Sequence, residues 1–489
     1  MHKILLKVLL QLFIIIVRLW YQDKYTYRCT RVGKQQTVDD ATVYGKKIYV
    51  VAFLVALKAR FVCKEVEYLT KETTIDLLGM ELSMAELPGG LYTIVSMESY
   101  TRTVLLSLGV EPNARSTAPL LLAIECHCMN GATCKDCWKK ESASPEQAGW
   151  FMAGVGSGGW LVATLRVDLI APHCRLSQYM ARPTLGAVAA LQHVLEYLGN
   201  TVDYCFYIAA QGERKWNFFS DSDFSGNKEA ANKLRAQCCS IAMHGSMPIS
   251  WKGGVSKNAF ACAEIGEAHA DRSSGAAETY AAGGAAKHFL IVLYITQELG
   301  MPIALPMVLQ LDATAAIAFT NGSSRRSKMA HIDQSQEWVI TLRDKSLFRA
   351  EHVIGSENIA DLGTKLQGAQ KINPLLDLLG LVSRKRLATF LIEKQAAAIE
   401  KKAAAIRKIA VDTRRQQRLE AYLAANVAGH DYAYGGPGVH VSGVGLDVFP
   451  EDAVQEVHAM LGDVRAIQDG EAVYTATGGV YDWLTGLSW

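Results

Sequence analysis

From Lys215 onward the apolar positions fall into short runs with a period of two. "WNFFS" (216–220), "QCCSIAMHG" (237–245) and "PISWKG" (248–253) predict three strands. The period then lengthens: Phe289, Val292, Ile295 and Leu299 are spaced to bury one stripe of a helix running from about Ser274 to Leu299. Gly300-Met301-Pro302 stops that helix. Next come a buried strand at 306–311, a short helix in "TAAIAF", another over 328–343, and a last strand in "SLFRAEHV" (346–353). Gly355-Ser356 bends the chain into a helix carrying Asp361. Strands followed by alternating strands and helices predict an α/β fold, α+β overall, with a mixed sheet flanked by helices.

Upstream the pattern predicts a hairpin with two acids at its bend (37–45), a helix over 51–61, paired strands at 75–82 and 89–95, and a helix over 99–108. Residues 111–149 lack periodicity and read as a loop; helical patterning runs from Trp150 to about Tyr197, broken at Arg182-Pro183. Downstream, "EKQAAAIEKKAAAI" (393–406) repeats every seven residues, placing Ile392, Ile399 and Ile406 on one line. Residues 384–420 hold eleven Lys or Arg against four acids, so this helix has a basic outer face and a seam for self-association. The divisions expected are a hydrophobic leader (1–37), an upstream region (38–210), the mixed-sheet domain (211–368), the basic helix (369–427) and a Gly-rich tail (428–489).

Composition changes this picture little. Of 489 residues half are hydrophobic and a fifth charged, with formal net charge +2, so affinity for polyanions must come from local patches. Eleven cysteines without framework spacing point to an intracellular chain with free thiols. The leader's apolar run, Ile4 to Trp20, is interrupted by Lys7, Gln11 and Arg18. It falls short of the roughly 20 residues that a membrane-spanning helix requires, which argues against an anchor.

The acids of 211–368 sit where chemistry is commonly placed. Asp221 ends the first strand, Glu278 lies in the first turns of the long helix, Asp312 ends the buried strand and Asp361 lies in the last helix. Singly, each reads as a cap or a solvated side chain. Together, at one sheet edge, four carboxylates would repel unless cations lay among them. Oxygen ligands without His or Cys select Mg²⁺, with Mn²⁺ as the alternative. Two such ions roughly 4 Å apart are the arrangement that supports phosphodiester hydrolysis.

These segments resemble the ribonuclease H domain of copia-type retrotransposon Pol polyproteins. "SDSDFSGN" is similar to its first-strand motif, "SSGAAETYAA" to its acidic helix start and "LQLDATAAI" to its Asp-Asn-x-x-Ala-Ile turn. "SKMAHIDQSQEWV" is similar to its Lys-His-Ile-Asp segment, "ENIADLGTKL" to its closing Ala-Asp-x-x-Thr-Lys, and "PISWKGG" to its third strand. The resemblance implies hydrolysis of the RNA strand of RNA–DNA hybrids, with Asp221, Glu278, Asp312 and Asp361 holding two Mg²⁺ ions. Ala276 and Ala313 depart from the family pattern, standing where it has Glu and Asn. Upstream, "DLLGMEL", "GLYTIVSMESYTRTVLLSLGV" and "LSQYMARPTLGAVAALQHVLEYLGNTVDYCFYI" resemble the back half of a copia-type reverse transcriptase and its connection. By that resemblance Asp39 and Asp40 are the polymerase's hairpin acids. Only 37 residues precede Val38-Asp39-Asp40, too few for the third aspartate and the fingers, so the expectation is a truncated scaffold without DNA synthesis.

Three further signals remain. Cys126, Cys128, Cys134 and Cys137 offer a zinc-like cluster, but Cys-x-Cys with a five-residue gap is cramped and favours unpaired thiols. His352 is a candidate proton shuttle or a solvent-facing strand-end histidine. Arg325, Arg326 and Lys328, after a Gly-Ser-Ser turn, are candidate phosphate contacts or a solvated basic turn. The rival functional reading is a non-catalytic relic that binds nucleic acid or self-associates through 384–420.

Overall fold

The computed structural model describes residues 26–30, 40–44, 67–111, 116–120, 124, 135–209, 215–223, 236–255, 274–298, 303–322 and 334–428. Its strands are β1 (Thr26–Thr30), β2 (Asp40–Tyr44), β3 (Glu67–Tyr68), β4 (Ile75–Leu77), β5 (Met80–Leu87), β6 (Gly90–Ser96), β7 (Tyr204–Ala209), β8 (Trp216–Asp223), β9 (Gln237–His244), β10 (Met247–Val255), β11 (Met307–Leu311), β12 (Phe348–His352) and β13 (Val382–Ser383). The α-helices are α1 (Glu98–Leu108), α2 (Pro145–Thr164), α3 (Ile170–Ser177), α4 (Leu185–Asn200), α5 (Ser274–Glu298), α6 (Thr314–Thr320), α7 (Gln334–Asp344), α8 (Asp361–Thr364), α9 (Ala369–Leu379) and α10 (Leu387–Ala428). The chain forms two compact units: one takes the residues up to Glu86 and from Gly90 to Lys385, the other Leu87–Gly89 with the residues from Arg386 on.

The fold is mixed α/β, with two five-stranded sheets in the first unit. The sheet that carries the acids has the order β10-β9-β8-β11-β12, so β8 is central. β8, β9 and β10 are antiparallel neighbours, whereas β11 runs parallel to both β8 and β12. Parallel strands need crossovers, and α5 supplies the one from β10 towards β11. Phe289, Val292, Ala282, Ala285 and Ala286 of α5 are buried, and the Phe289 ring lies 4.8 Å from that of Phe218 on β8. This is the stripe expected from the spacing; Gly283 and Gly284 do not interrupt the helix. His288 joins three elements, with Nδ1 2.9 Å from the Ser240 hydroxyl on β9 and Nε2 2.7 Å from the Ser250 hydroxyl on β10. Burial pushes its pKa down to about 3, so it is a neutral core residue.

The second sheet has the order β13-β7-β6-β5-β4. The strand expected over 75–82 is itself a hairpin. Leu78 (φ 55°) and Gly79 (φ 82°) both adopt positive φ, the backbone of a tight two-residue turn between β4 and β5. The helical stretch expected from Trp150 to Tyr197 is three helices. Ser144 and Gln147 cap α2 reciprocally, with Pro145 behind the cap. The chain then breaks at Arg166–Asp168, and Thr184 caps α4.

That break is a buried ion pair. Arg166 Nε and Nη2 donate to Asp168 Oδ1 and Oδ2 at 2.9 and 2.7 Å, while Nη1 and Nη2 also reach the Thr201 carbonyl and hydroxyl. Tyr197 donates its hydroxyl to Asp168 Oδ2 at 2.9 Å. The guanidinium also lies 5.5 Å from the Tyr197 ring and 5.4 Å from that of Tyr204.

In the second unit, α10 covers the expected basic segment from Leu387 on, whereas the first part of that segment forms α9 and β13; Gln395 of α10 donates to the Pro88 carbonyl at 3.3 Å. Among the described residues no helix is long and apolar enough to cross a membrane. The leader and the Gly-rich tail lie outside the described residues, apart from β1 within the former and Ala428 at the start of the latter.

Candidate metal centre

Asp221 is reached by a strand whose side chains alternate between faces. Phe218 points to α5, and Asp221 pairs across the ladder with Cys239 of β9. Over this pair lies α8: a Cβ on Gly363 would sit 2.3 Å from Cys239 Sγ, so only glycine lets the turn approach so closely. Asn358 fixes the entry to α8, donating to the Ser220 carbonyl at 3.1 Å and accepting from the Ala360 amide at 3.3 Å.

Asp221, Glu278 and Asp312 each offer a carboxylate oxygen within 4.8 Å of the other two. Asp221 and Glu278 are buried; Asp312, just after β11, is half-buried. Asp361 joins through a cation. Lys365 Nζ lies 2.6 Å from Asp361 Oδ1 and 3.4 Å from Asp221 Oδ1. Thr364 donates its hydroxyl to Asp221 Oδ2, and Gln367 donates to Asp361 Oδ2 at 3.3 Å. Glu278 Oε2 is buried without a hydrogen-bond partner.

The electrostatics follow from this crowding. Burial first, and then the Asp361 charge, push Asp221 up to about 6, with Lys365 and Thr364 pulling against them. Burial, Asp221 and Asp312 push Glu278 up to about 9. Asp312 is raised by burial and by Asp221. One ammonium does not balance four carboxylates in a desolvated site. The all-oxygen donor set and the orphaned Glu278 oxygen fit a hard divalent cation such as Mg²⁺ or Mn²⁺.

His352 is the last residue of β12, exposed and in register with Leu311. Arg325, Arg326 and Lys328 lie outside the described residues, as do Cys126, Cys128 and Cys134; Cys137 opens a one-turn 3-10 helix. Asp39 is also outside them, while Asp40 begins β2 opposite Thr30. Two residues of the site, Asn358 and Gln367, are not marked by a motif position, whereas Thr364 and Lys365 close the Ala-Asp-x-x-Thr-Lys segment. Lys365 carries a second local signal, its i,i+4 spacing from Asp361.

Comparison with known proteins agrees with the resemblance. The chain is similar to part of a retrovirus-related Pol polyprotein. It is 25% identical over 370 residues to the one from transposon RE2 of Arabidopsis thaliana, covering 71% of this chain and 23% of that protein. With the one from transposon RE1 of the same plant it shares 26% over 211 residues, 43% of this chain and 13% of the relative. With the one from transposon TNT 1-94 of Nicotiana tabacum it shares 23% over 233 residues, 48% of this chain and 16% of the relative. The chain thus spans less than a quarter of the length of the curated relatives it matches. No protein-family model matches it.

Proposed function

We propose that this chain is a metal-dependent endonuclease, a ribonuclease H that hydrolyses the RNA strand of RNA–DNA hybrids as part of a retroelement polyprotein. The observation that carries the reading is the triad of Asp221, Glu278 and Asp312 with the unpartnered Glu278 oxygen. When bound, Mg²⁺ or Mn²⁺ supplies a Lewis acid that polarises the scissile phosphate and makes water a nucleophile near neutral pH. The chain's own residues do the rest. Thr364 fixes the Asp221 carboxylate through a hydrogen bond, and β8 and β11 hold Asp221 and Asp312 on adjacent strands. Asp361 completes the acidic rim through Lys365. His352, beside Asp312 and open to solvent, carries a proton to or from the reacting phosphate. Cleavage leaves a 3′-hydroxyl and a 5′-phosphate. The ribose 2′-hydroxyl marks the strand to cut, and Arg325, Arg326 and Lys328 contribute phosphate contacts, so binding weakens with salt. DNA synthesis through Asp39 and Asp40 is no part of the proposal.

The test is hydrolysis of a labelled hybrid by the purified chain in Mg²⁺. Asp312→Asn is expected to slow cleavage on the order of a hundred- to a thousandfold; an unchanged rate sinks the nuclease. A second reading, a non-catalytic nucleic-acid-binding or self-associating protein, draws on α10. Its Lys401, Lys402, Arg407, Lys408, Arg415 and Arg418 are all exposed, as are Ile406, Ile409 and Val411. Hybrid binding without cleavage, abolished on removing 384–420, favours it.

A further inference from the structure

The carboxylates of the acidic cluster are unevenly satisfied. Both oxygens of Asp361 are occupied, by Lys365 at 2.6 Å and Gln367 at 3.3 Å. Both oxygens of Asp221 have donors, Lys365 at 3.4 Å and the Thr364 hydroxyl. Glu278 is different: it is 6% exposed and its Oε2 meets no donor. The cluster therefore has a filled half and an open half.

We propose that the Lys365 ammonium stands in the place of a second cation. On this proposal, which rests on the metal-dependent reading above, the open half (Asp221, Glu278 and Asp312) takes up one divalent ion. A second ion enters between Asp221 and Asp361 only by displacing Lys365. The geometry supports this in two ways. The i,i+4 spacing from Asp361 carries the lysine stem back along the turn, so Nζ bridges the two aspartates. Its side chain is 37% exposed, so the ammonium has a route out to water. The ammonium is a compact point charge, which suits it to occupy a cation's place.

The test counts Mn²⁺ bound to the full-length chain without nucleic acid, by electron paramagnetic resonance of the free ion. The chain is expected to hold one Mn²⁺ over a range in which Lys365→Gln holds two, the second ion bound about tenfold or more tightly than in the parent. Lys365→Arg, which keeps the charge, is expected to return the count to one. Asp361→Asn should leave the count at one, and this variant keeps the test decisive if Lys365→Gln does not fold. Two ions of similar affinity in the parent, one ion in Lys365→Gln, or a fall from two to one in Asp361→Asn would overturn the inference while leaving the nuclease reading intact. No bound Mn²⁺ at any concentration overturns both.

Discussion

Two buried aspartates, Asp168 and Asp221, answer burial in opposite ways. Both side chains are 0% exposed. Asp168 has a bidentate guanidinium, a tyrosine hydroxyl and no competing acid among its hydrogen-bond partners. Asp221 has a threonine, a shared lysine and the charges of neighbouring carboxylates. The first is a closed set of charges and donors whose role is to hold the break between α2 and α3. The second is a set of acids whose negative charge exceeds what its donors answer, which raises their pKa values. Burial alone does not separate structure from chemistry; the number of partners set against the number of charges does.

This contrast can be broken first at Asp168. Asp168→Ala leaves the Arg166 charge buried without its partner, and thermal or urea unfolding should show a loss of about 3–5 kcal/mol. Asp221→Asn should do the reverse. Removing one charge from the crowded cluster is expected to raise metal-free stability at pH 8 by about 1–3 kcal/mol, while abolishing the added stability that Mg²⁺ confers on the parent. Should both variants destabilise alike, the comparison fails.

A third measurement uses pH. Burial and the neighbouring acids push Asp221 up to about 6 and Glu278 up to about 9 in the folded chain. The folded chain therefore keeps protons that the unfolded chain releases. The stability this contributes is full below about pH 4 and is lost as pH rises through those two folded values. Metal-free melting should drop by several degrees between about pH 5 and pH 9, and Mg²⁺ should reverse the drop because it binds the deprotonated site. A flat metal-free profile would show that the acids are not crowded. The smallest effect is expected far from the cluster, on reversing Lys401, Lys408 and Arg415 to glutamate. The logarithmic salt slope of hybrid binding should become shallower by about 0.9 for each phosphate that these side chains neutralise. No change there, with altered sedimentation instead, would assign α10 to self-association.

Much of the acid-bearing sheet is readable because its elements are marked locally. Alternation marks β8 and β9 and the Phe289–Val292 stripe marks α5. The acids follow in order, although β8 runs two residues past Asp221 to Asp223 rather than ending there, with Glu278 in the first turns of α5, Asp312 just after β11 and Asp361 opening α8. What escapes depends on distant partners. β13 is two residues long and exists because it pairs with β7, some 180 residues earlier in the chain by the Ser383–Asp203 hydrogen bond. The break after α2 has no proline or glycine; it is held by Arg166 and Asp168 with Thr201. In the site, Asn358 is an ordinary polar residue until β8 lies beneath it. No periodicity reports such pairings.

Ile170, at the start of α3, has a consequence for dissecting the protein. Its Cγ2 lies 2.1 Å from where a Cβ on Gly253 of β10 would be, and 3.2 Å from the corresponding point on Gly363 of α8. One methyl from the upstream region thus fills a socket made by two glycines, one in the sheet and one in the turn that carries Asp361. An excised 211–368 fragment would keep all four acids and lose the peg that seats the turn beneath one of them. Expression boundaries drawn from the catalytic motifs alone would therefore cut through the support of the motif they were meant to isolate.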